Sequence, residues 1–224
     1  MAANLDRQNG YWFKFDNGGD AKHEFCGEHS VDGASCPNCD KPLLRLVSLD
    51  MSAKEVSRIE SFGDRLNLFF CWTCPISQEE FIYEVLEDGG VKILKYGKGE
   101  SYIDFPYDQY PVFFPLRAFD LEKLTSNEQE VIIQLNNNSV GIYDLNEDLR
   151  YLSMPAHQLG GEPYIIQSDL ANIRCPRCKN EMNFLVSVAD KHSSEISFTE
   201  NEYVQLLFHI CNNCSIVSAK QYCD

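Results

Sequence analysis

The chain has 224 residues, is 44% hydrophobic and 12% aromatic, and carries a formal charge of −15. That apolar content suits a packed core and excludes global disorder, and 224 residues fit one large domain or two small ones. The charge is spread evenly, −8 over residues 1–112 and −7 over 113–224, so a phosphate backbone is not the expected main partner.

Membrane spans and export signals are absent from the pattern. No run of 18 apolar residues occurs, and Met1–Gln8 lacks an apolar signal core. The expectation is a cytoplasmic protein with no membrane partner. An even acidic surface serves solubility, and it also suits capture of a basic protein.

In chain order, Tyr11–Phe15 reads as a strand closed by a turn at Asp16-Asn17-Gly18-Gly19. His23, Cys26 and His29 follow, either a further weak metal site or an ordinary thiol with two surface histidines. Cys36-Pro37-Asn38-Cys39 is the first Cys-x-x-Cys pair, and the run Leu46–Leu49 after it reads as a strand. Ala53–Ser61 predicts a helix, with Ser52 and Glu55 as a capping box and Gly63 as its stop. The apolar run Leu66–Phe70 leads into Cys71-Trp72-Thr73-Cys74. Phe81–Leu86 and Val91–Tyr96 flank Glu87-Asp88-Gly89-Gly90, a hairpin signal. Asp120–Thr125 reads as a short helical turn. Val131–Leu135 and Val140–Tyr143 read as a second hairpin around Asn136–Ser139.

The C-terminal part repeats the first. Cys175-Pro176-Arg177-Cys178 is followed by the run Leu185–Val188, and Val204–Ile210 leads into Cys211-Asn212-Asn213-Cys214. Between Cys39 and Cys71 lie 31 residues, between Cys178 and Cys211 lie 32, and between Cys74 and Cys175 lie 100. The spacing therefore groups the eight as two sets of four. We read an internal duplication of one strand–knuckle unit, a zinc ribbon with an insertion. Residues 1–90 hold the first unit, 91–150 a joining hairpin segment, and 151–224 the second. The expected class is mostly β (α+β), with duplicated zinc-ribbon-like units packed into one β-rich body.

Two residues between cysteines let the backbone fold into a knuckle that aims both sulfurs at one point. Two knuckles supply the tetrahedral shell that zinc prefers, at about 2.3 Å per bond. The expected cofactors are two structural Zn²⁺ ions on Cys36, Cys39, Cys71 and Cys74, and on Cys175, Cys178, Cys211 and Cys214. Redox catalysis would want one pair in a βαβ setting, whereas Cys71-Trp72-Thr73-Cys74 has three sister pairs. Iron also suits four thiolates, but rubredoxin-type knuckles carry glycine after the second cysteine. Here that place holds Asp40, Pro75, Lys179 and Ser215. Catalytic zinc keeps an open position, and four sulfurs close it.

There is no phosphate loop, dinucleotide fingerprint, nucleophile elbow or His-Glu-x-x-His. One other motif is distinctive, His157-Gln158-Leu159-Gly160-Gly161-Glu162-Pro163, followed by Tyr164–Ile166 as an expected strand and Gln167. Its glycines allow positive φ and close approach of another chain. It is either a structural turn or a partner groove, with His157, Gly160, Gly161, Pro163 and Gln167 as the candidates. Together with Cys175-Pro176-Arg177-Cys178, this stretch resembles the YwqG-like bacterial family of unknown function and the zinc-ribbon proteins of the programmed cell death 2 type. The likeness covers mainly residues 155–224. The eukaryotic group implies escort of a newly made basic ribosomal protein. The first expectation is thus a non-enzymatic zinc-binding adaptor or escort with a protein partner of basic charge. The alternatives are a bacterial immunity protein that neutralises a toxin, and an enzyme with a site near His157.

Overall fold

In the computed structural model of the chain, residues 9–15, 21–57, 59, 62–78, 80–104, 109–166, 173–190, 198 and 204–223 are described. Eleven strands form one antiparallel sheet: β1 Gly10–Phe15, β2 His23–Phe25, β3 Leu44–Asp50, β4 Arg65–Phe70, β5 Phe81–Val85, β6 Val91–Lys95, β7 Arg117–Lys123, β8 Gln158–Gly160, β9 Asn183–Ala189, β10 Val204–Cys211 and β11 Ile216–Cys223. Their order across the sheet is β4-β3-β2-β7-β1-β8-β9-β10-β11-β5-β6. The fold is β-rich, and two four-cysteine groups mark duplicated zinc-ribbon-like units within that one body. Among the described residues no helix is long and apolar enough to cross a membrane.

The duplication is visible in the register. In the first copy Leu44 pairs with Phe70 and Arg45 with Phe69, then the register slips and Val47 pairs with Leu68. In the second, Asn183 pairs with Ile210 and Phe184 with His209, then Val186 pairs with Phe208. The residue skipped in each is a leucine, Leu46 or Leu185, and both are fully buried. A bulge at the same place twists each ribbon alike. At the centre β1 pairs with β7, with Lys14 opposite Asp120, and Phe13 stacks on Phe119 at 4.0 Å between ring centroids.

The sheet curls until its first edge meets its far end. The hydroxyl of buried Tyr83 on β5 accepts the Phe69 N–H of β4 at 3.0 Å, and Phe70 meets Phe81 edge to face. The main core fills the space enclosed, from Phe25 and Leu46 to Leu206 and Phe208. The strands at Tyr11–Phe15 and Leu46–Leu49, the run Leu66–Phe70, the hairpin at residues 81–96 and the strands near Leu185–Val188 and Val204–Ile210 all lie where the pattern placed them.

Four expectations differ. Val131–Leu135 is helix, not hairpin: α1 spans Ser126–Asn136. Its β-branched run Val131-Ile132-Ile133 lost to an upstream capping box, in which Thr125 Oγ1 accepts the Glu128 N–H and the Glu128 carboxylate accepts the Thr125 N–H. Asp120–Thr125 is no helical turn, because Arg117–Lys123 is strand β7, paired on both sides. In Ala53–Ser61 the described residues form consecutive turns, with Val56 N–H on Ala53 O and Ile59 N–H on Val56 O. Nine residues between two paired strands are too few to repay helix nucleation, and the Ser52 N–H is taken by the Asp50 carboxylate. Tyr164–Ile166 forms no strand, and β8 lies earlier, at Gln158–Gly160. The turn at Asp16–Gly19 lies outside the described residues.

The three sequence stretches interleave in the sheet. β7, from 91–150, lies between β2 and β1. Position 90/91 falls at the end of the β5–β6 turn, and that hairpin pairs with β11 of the last stretch.

Candidate metal centres

The two Cys-Pro-x-Cys knuckles are built by the same backbone bonds. Cys36 N–H donates to Lys41 O at 2.8 Å and Asp40 N–H to Cys36 O at 2.9 Å, while Cys175 N–H donates to Asn180 O and Lys179 N–H to Cys175 O, both at 2.9 Å. An isolated bridge closes each loop, Ser35 with Pro42 and Arg174 with Glu181. The residue after the second cysteine turns left-handed, with φ of 58° at Asp40, 63° at Lys179 and 52° at Ser215. Glycine would suit all three sites, so the absent glycines do not mark a different backbone. The remaining sulfurs come from the ends of β4 and β10.

The ligand atoms of Cys36, Cys39, Cys71 and Cys74 all lie within 4.8 Å of one another, as do those of Cys175, Cys178, Cys211 and Cys214. None of the ten cysteines is in a disulfide. Cys39 and Cys71 sulfurs are 3.9 Å apart, and Cys178 and Cys211 sulfurs 3.6 Å. A tetrahedron with bonds of about 2.3 Å has edges of roughly 3.8 Å. The donor set therefore fits one thiophilic ion per group. Both groups can hold a metal ion.

The surroundings of the sulfurs differ. Thr73 Oγ1 lies 3.2 Å from Cys71 Sγ and 3.5 Å from Cys39 Sγ, and Ser101 Oγ lies 3.5 Å from Cys74 Sγ. Such outer donors orient thiolates and spread their charge. At the second group Arg177 reaches from the knuckle to the Glu84 carboxylate at 2.7 Å and to Cys214 O at 3.4 Å. Its counterpart Asn38 donates to Gly97 O at 2.8 Å. The β5–β6 hairpin and its exit thus touch both knuckles.

Hydrogen bonding and burial pull thiols within each group in opposite directions. The hydrogen bond from Cys71 lowers Cys36 to about 5. The Asn180 backbone N–H leads in lowering Cys178 to about 7. The hydrogen bond with Cys36, then burial, pushes Cys71 up. Burial raises Cys74 and Cys214 to about 11 and drives Cys211 higher still. A divalent cation reverses this by neutralising the extra charge.

His23, Cys26 and His29 do not converge as a metal group. His23 Nδ1 accepts the Asp50 N–H at 3.1 Å, while His29 Nε2 meets Leu43 O and its Nδ1 accepts the Val31 N–H. His23 and Cys26 belong to a repeat that sequence reading missed. His157 Nδ1 accepts the Ala189 N–H at 3.1 Å, as His23 does from Asp50. β2 pairs with β3 as β8 pairs with β9. Cys26 and Gly27 have φ of 60° and 93°, and Gly160 and Gly161 have 60° and 67°. So His23-Glu24-Phe25-Cys26-Gly27-Glu28 is the first copy of His157-Gln158-Leu159-Gly160-Gly161-Glu162. The shared His-x-x-x-Gly-Glu was the available signal.

The other candidates lie as follows. The chain closest to the paired glycines is its own β1: a Cβ on Gly161 would sit 2.8 Å from Gly10 Cα and 2.6 Å from Gln129 Oε1. Pro163 O accepts from Asn136 Nδ2 at 2.8 Å, and Gln167 lies outside the described residues. His157 forms part of the lining of a cleft of about 610 Å³ between β1, the start of α1 and residues 149–157. No family model, no curated protein and no solved structure matches this chain.

Proposed function

We propose that the protein is a non-enzymatic zinc protein whose acidic surface binds a basic protein, in an escort or adaptor role. The observation that carries the reading is the pair of closed four-sulfur shells on a chain of net charge −15. Zinc is the metal best suited to a four-cysteine tetrahedron with a structural task, and such a shell leaves no coordination position for substrate. Each ion would be held by one Cys-Pro-x-Cys knuckle and the pair at the end of β4 or β10. Its chemistry there is to cross-link the ribbon and neutralise thiolate charge.

Two further facts support binding over catalysis. His157 spends Nδ1 on the β9 backbone, and the carboxylate of Glu128, another lining residue of the cleft, already accepts from Trp12, Tyr151 and Thr125. The escort version is what a resemblance of residues 155–224 to the programmed cell death 2 type would imply. A reducing, cytoplasmic setting goes with it, since free thiolates persist there.

Native mass spectrometry should find two zinc ions per chain, and affinity capture should recover a basic client whose binding weakens steeply between low and high salt. Iron in place of zinc overturns the metal assignment. Clients of no particular charge, held equally at high salt, overturn the acidic-surface reading.

A further inference from the structure

The cleft beside β1 has a built wall. Trp12 Nε1 donates to Glu128 Oε1 at 3.0 Å, and the Tyr151 hydroxyl donates to the same oxygen at 2.5 Å. The other oxygen accepts from Thr125 N–H and Oγ1, each at 2.7 Å. The two rings stand at 63° with centroids 6.4 Å apart, fixed as adjacent walls by one carboxylate at the start of α1. Leu149, Met154 and Pro155 add apolar lining.

The electrostatics favour a cation. A ring face is negative because of its quadrupole. A carboxylate accepting from the indole N–H and the phenol O–H pushes electron density into both rings and deepens that potential. Glu128 stays charged: burial raises its pKa, but the donors from Tyr151, Thr125 and Trp12 outweigh it and hold the group below its ordinary value. On the rim Lys14 is paired to Glu122, so among the described lining residues Lys123 is the cation without an ion pair.

We propose that this cleft receives an arginine side chain of a basic protein segment, its guanidinium stacked against the Trp12–Tyr151 corner. Arginine fits better than lysine because a planar, weakly hydrated cation stacks on a ring face with little desolvation cost. The volume of about 610 Å³ lies in the usual range for ligand sites, on the order of 300–1,000 Å³, and leaves room for flanking peptide. The proposal rests on the basic-client reading and gives that client a seat.

The test titrates the zinc-loaded full chain with the peptide Gly-Arg-Gly-Arg-Gly-Arg-Gly, its lysine counterpart and indole-3-acetate, reading the two indole N–H signals by NMR. Trp12→Phe assigns them. The arginine peptide should shift the Trp12 signal and leave that of buried Trp72 in place, and the lysine peptide should bind more weakly. Tyr151→Leu should weaken the arginine peptide roughly tenfold. Lys123→Glu, at an exposed position, should tighten it about threefold or more by removing a like charge. If Lys123→Glu weakens binding, or indole-3-acetate takes the cleft and the arginine peptide does not, the site is one for an anion and the proposal falls. Should the arginine peptide bind in a salt-sensitive way without moving the Trp12 signal, the cleft assignment fails while the acidic-surface reading stands. Absence of arginine-peptide binding anywhere sinks both.

Discussion

Cys26 separates a cysteine that fills space from one that ligates. It is buried with φ of 60°, and burial pushes its thiol well above the ordinary range. It occupies the turn position that the second copy fills with Gly160, outside both sulfur groups. Cys26→Ser should therefore keep two metal ions per chain by native mass spectrometry, whereas Cys39→Ser or Cys178→Ser should lose one. A Cys26→Ser protein with one metal would remove the grouping of ligands. His23 offers a second residue-level test. Burial lowers its pKa, opposed by Asp50, Glu55 and Asp120 and aided by Arg65, and in the fold its unprotonated Nδ1 accepts the Asp50 N–H. The unfolded chain takes up this proton first as pH falls, so stability is full above about pH 6.5 and declines below it. In His23→Asn the side-chain oxygen can accept the same N–H without titrating. Urea midpoints of the metal-loaded protein should then fall less steeply between pH 6.5 and 5. An unchanged slope would assign the acid loss to other groups.

At the scale of elements, what the sequence made legible was whatever chemistry spaces regularly. Four knuckles, their flanking runs and the Gly89–Gly90 hairpin could be placed because cysteine spacing and turn residues act locally. α1 was misread since Val131-Ile132-Ile133 has strand composition, and the deciding residues, Thr125 and Glu128, lie upstream of it. β7 was misread for a different reason. Arg117–Lys123 carries only the short alternation Phe119-Asp120-Leu121-Glu122, and it is a strand because β1 and β2 lie on either side, a non-local cause. The His-x-x-x-Gly-Glu repeat escaped because Cys26 stands where its partner copy has glycine. The capping box makes the element-scale prediction. Thr125→Ala removes the N-cap acceptor and one donor to Glu128, and should cost about 1–2 kcal/mol in thermal unfolding. Thr125→Ser, which keeps the hydroxyl, should cost little. Equal losses in both would mean that the threonine methyl, not the cap, matters.

The two ribbons share a sheet, and the hairpin of the first lies on the second. β5 leaves the Cys71–Cys74 knuckle, yet it pairs with β11, opposing Tyr83 to Val217. It also faces β4 across the curl through the buried Tyr83 hydroxyl. Asn38 and Arg177, at matching knuckle positions, both tie to this hairpin or its exit. Mechanical continuity from one metal centre to the other therefore runs through β5. Two independent ribbons would melt separately when one metal is removed, but a shared strand makes each ribbon depend on the other's order. Cys39→Ser, with only the second metal bound, should unfold in a single transition at lower temperature. Its amide protection should drop on β10 and β11 as well as on β3 and β4. Tyr83→Phe removes the acceptor for the Phe69 N–H and leaves that donor buried, a loss of about 1–3 kcal/mol, and it should loosen this linkage with both metals in place. The decisive readout is hydrogen exchange on β11 in the two variants. Protection there equal to the unsubstituted protein's in Cys39→Ser would mean that β5 does not couple the ribbons, and the sheet, though continuous in hydrogen bonding, would behave as two separable units.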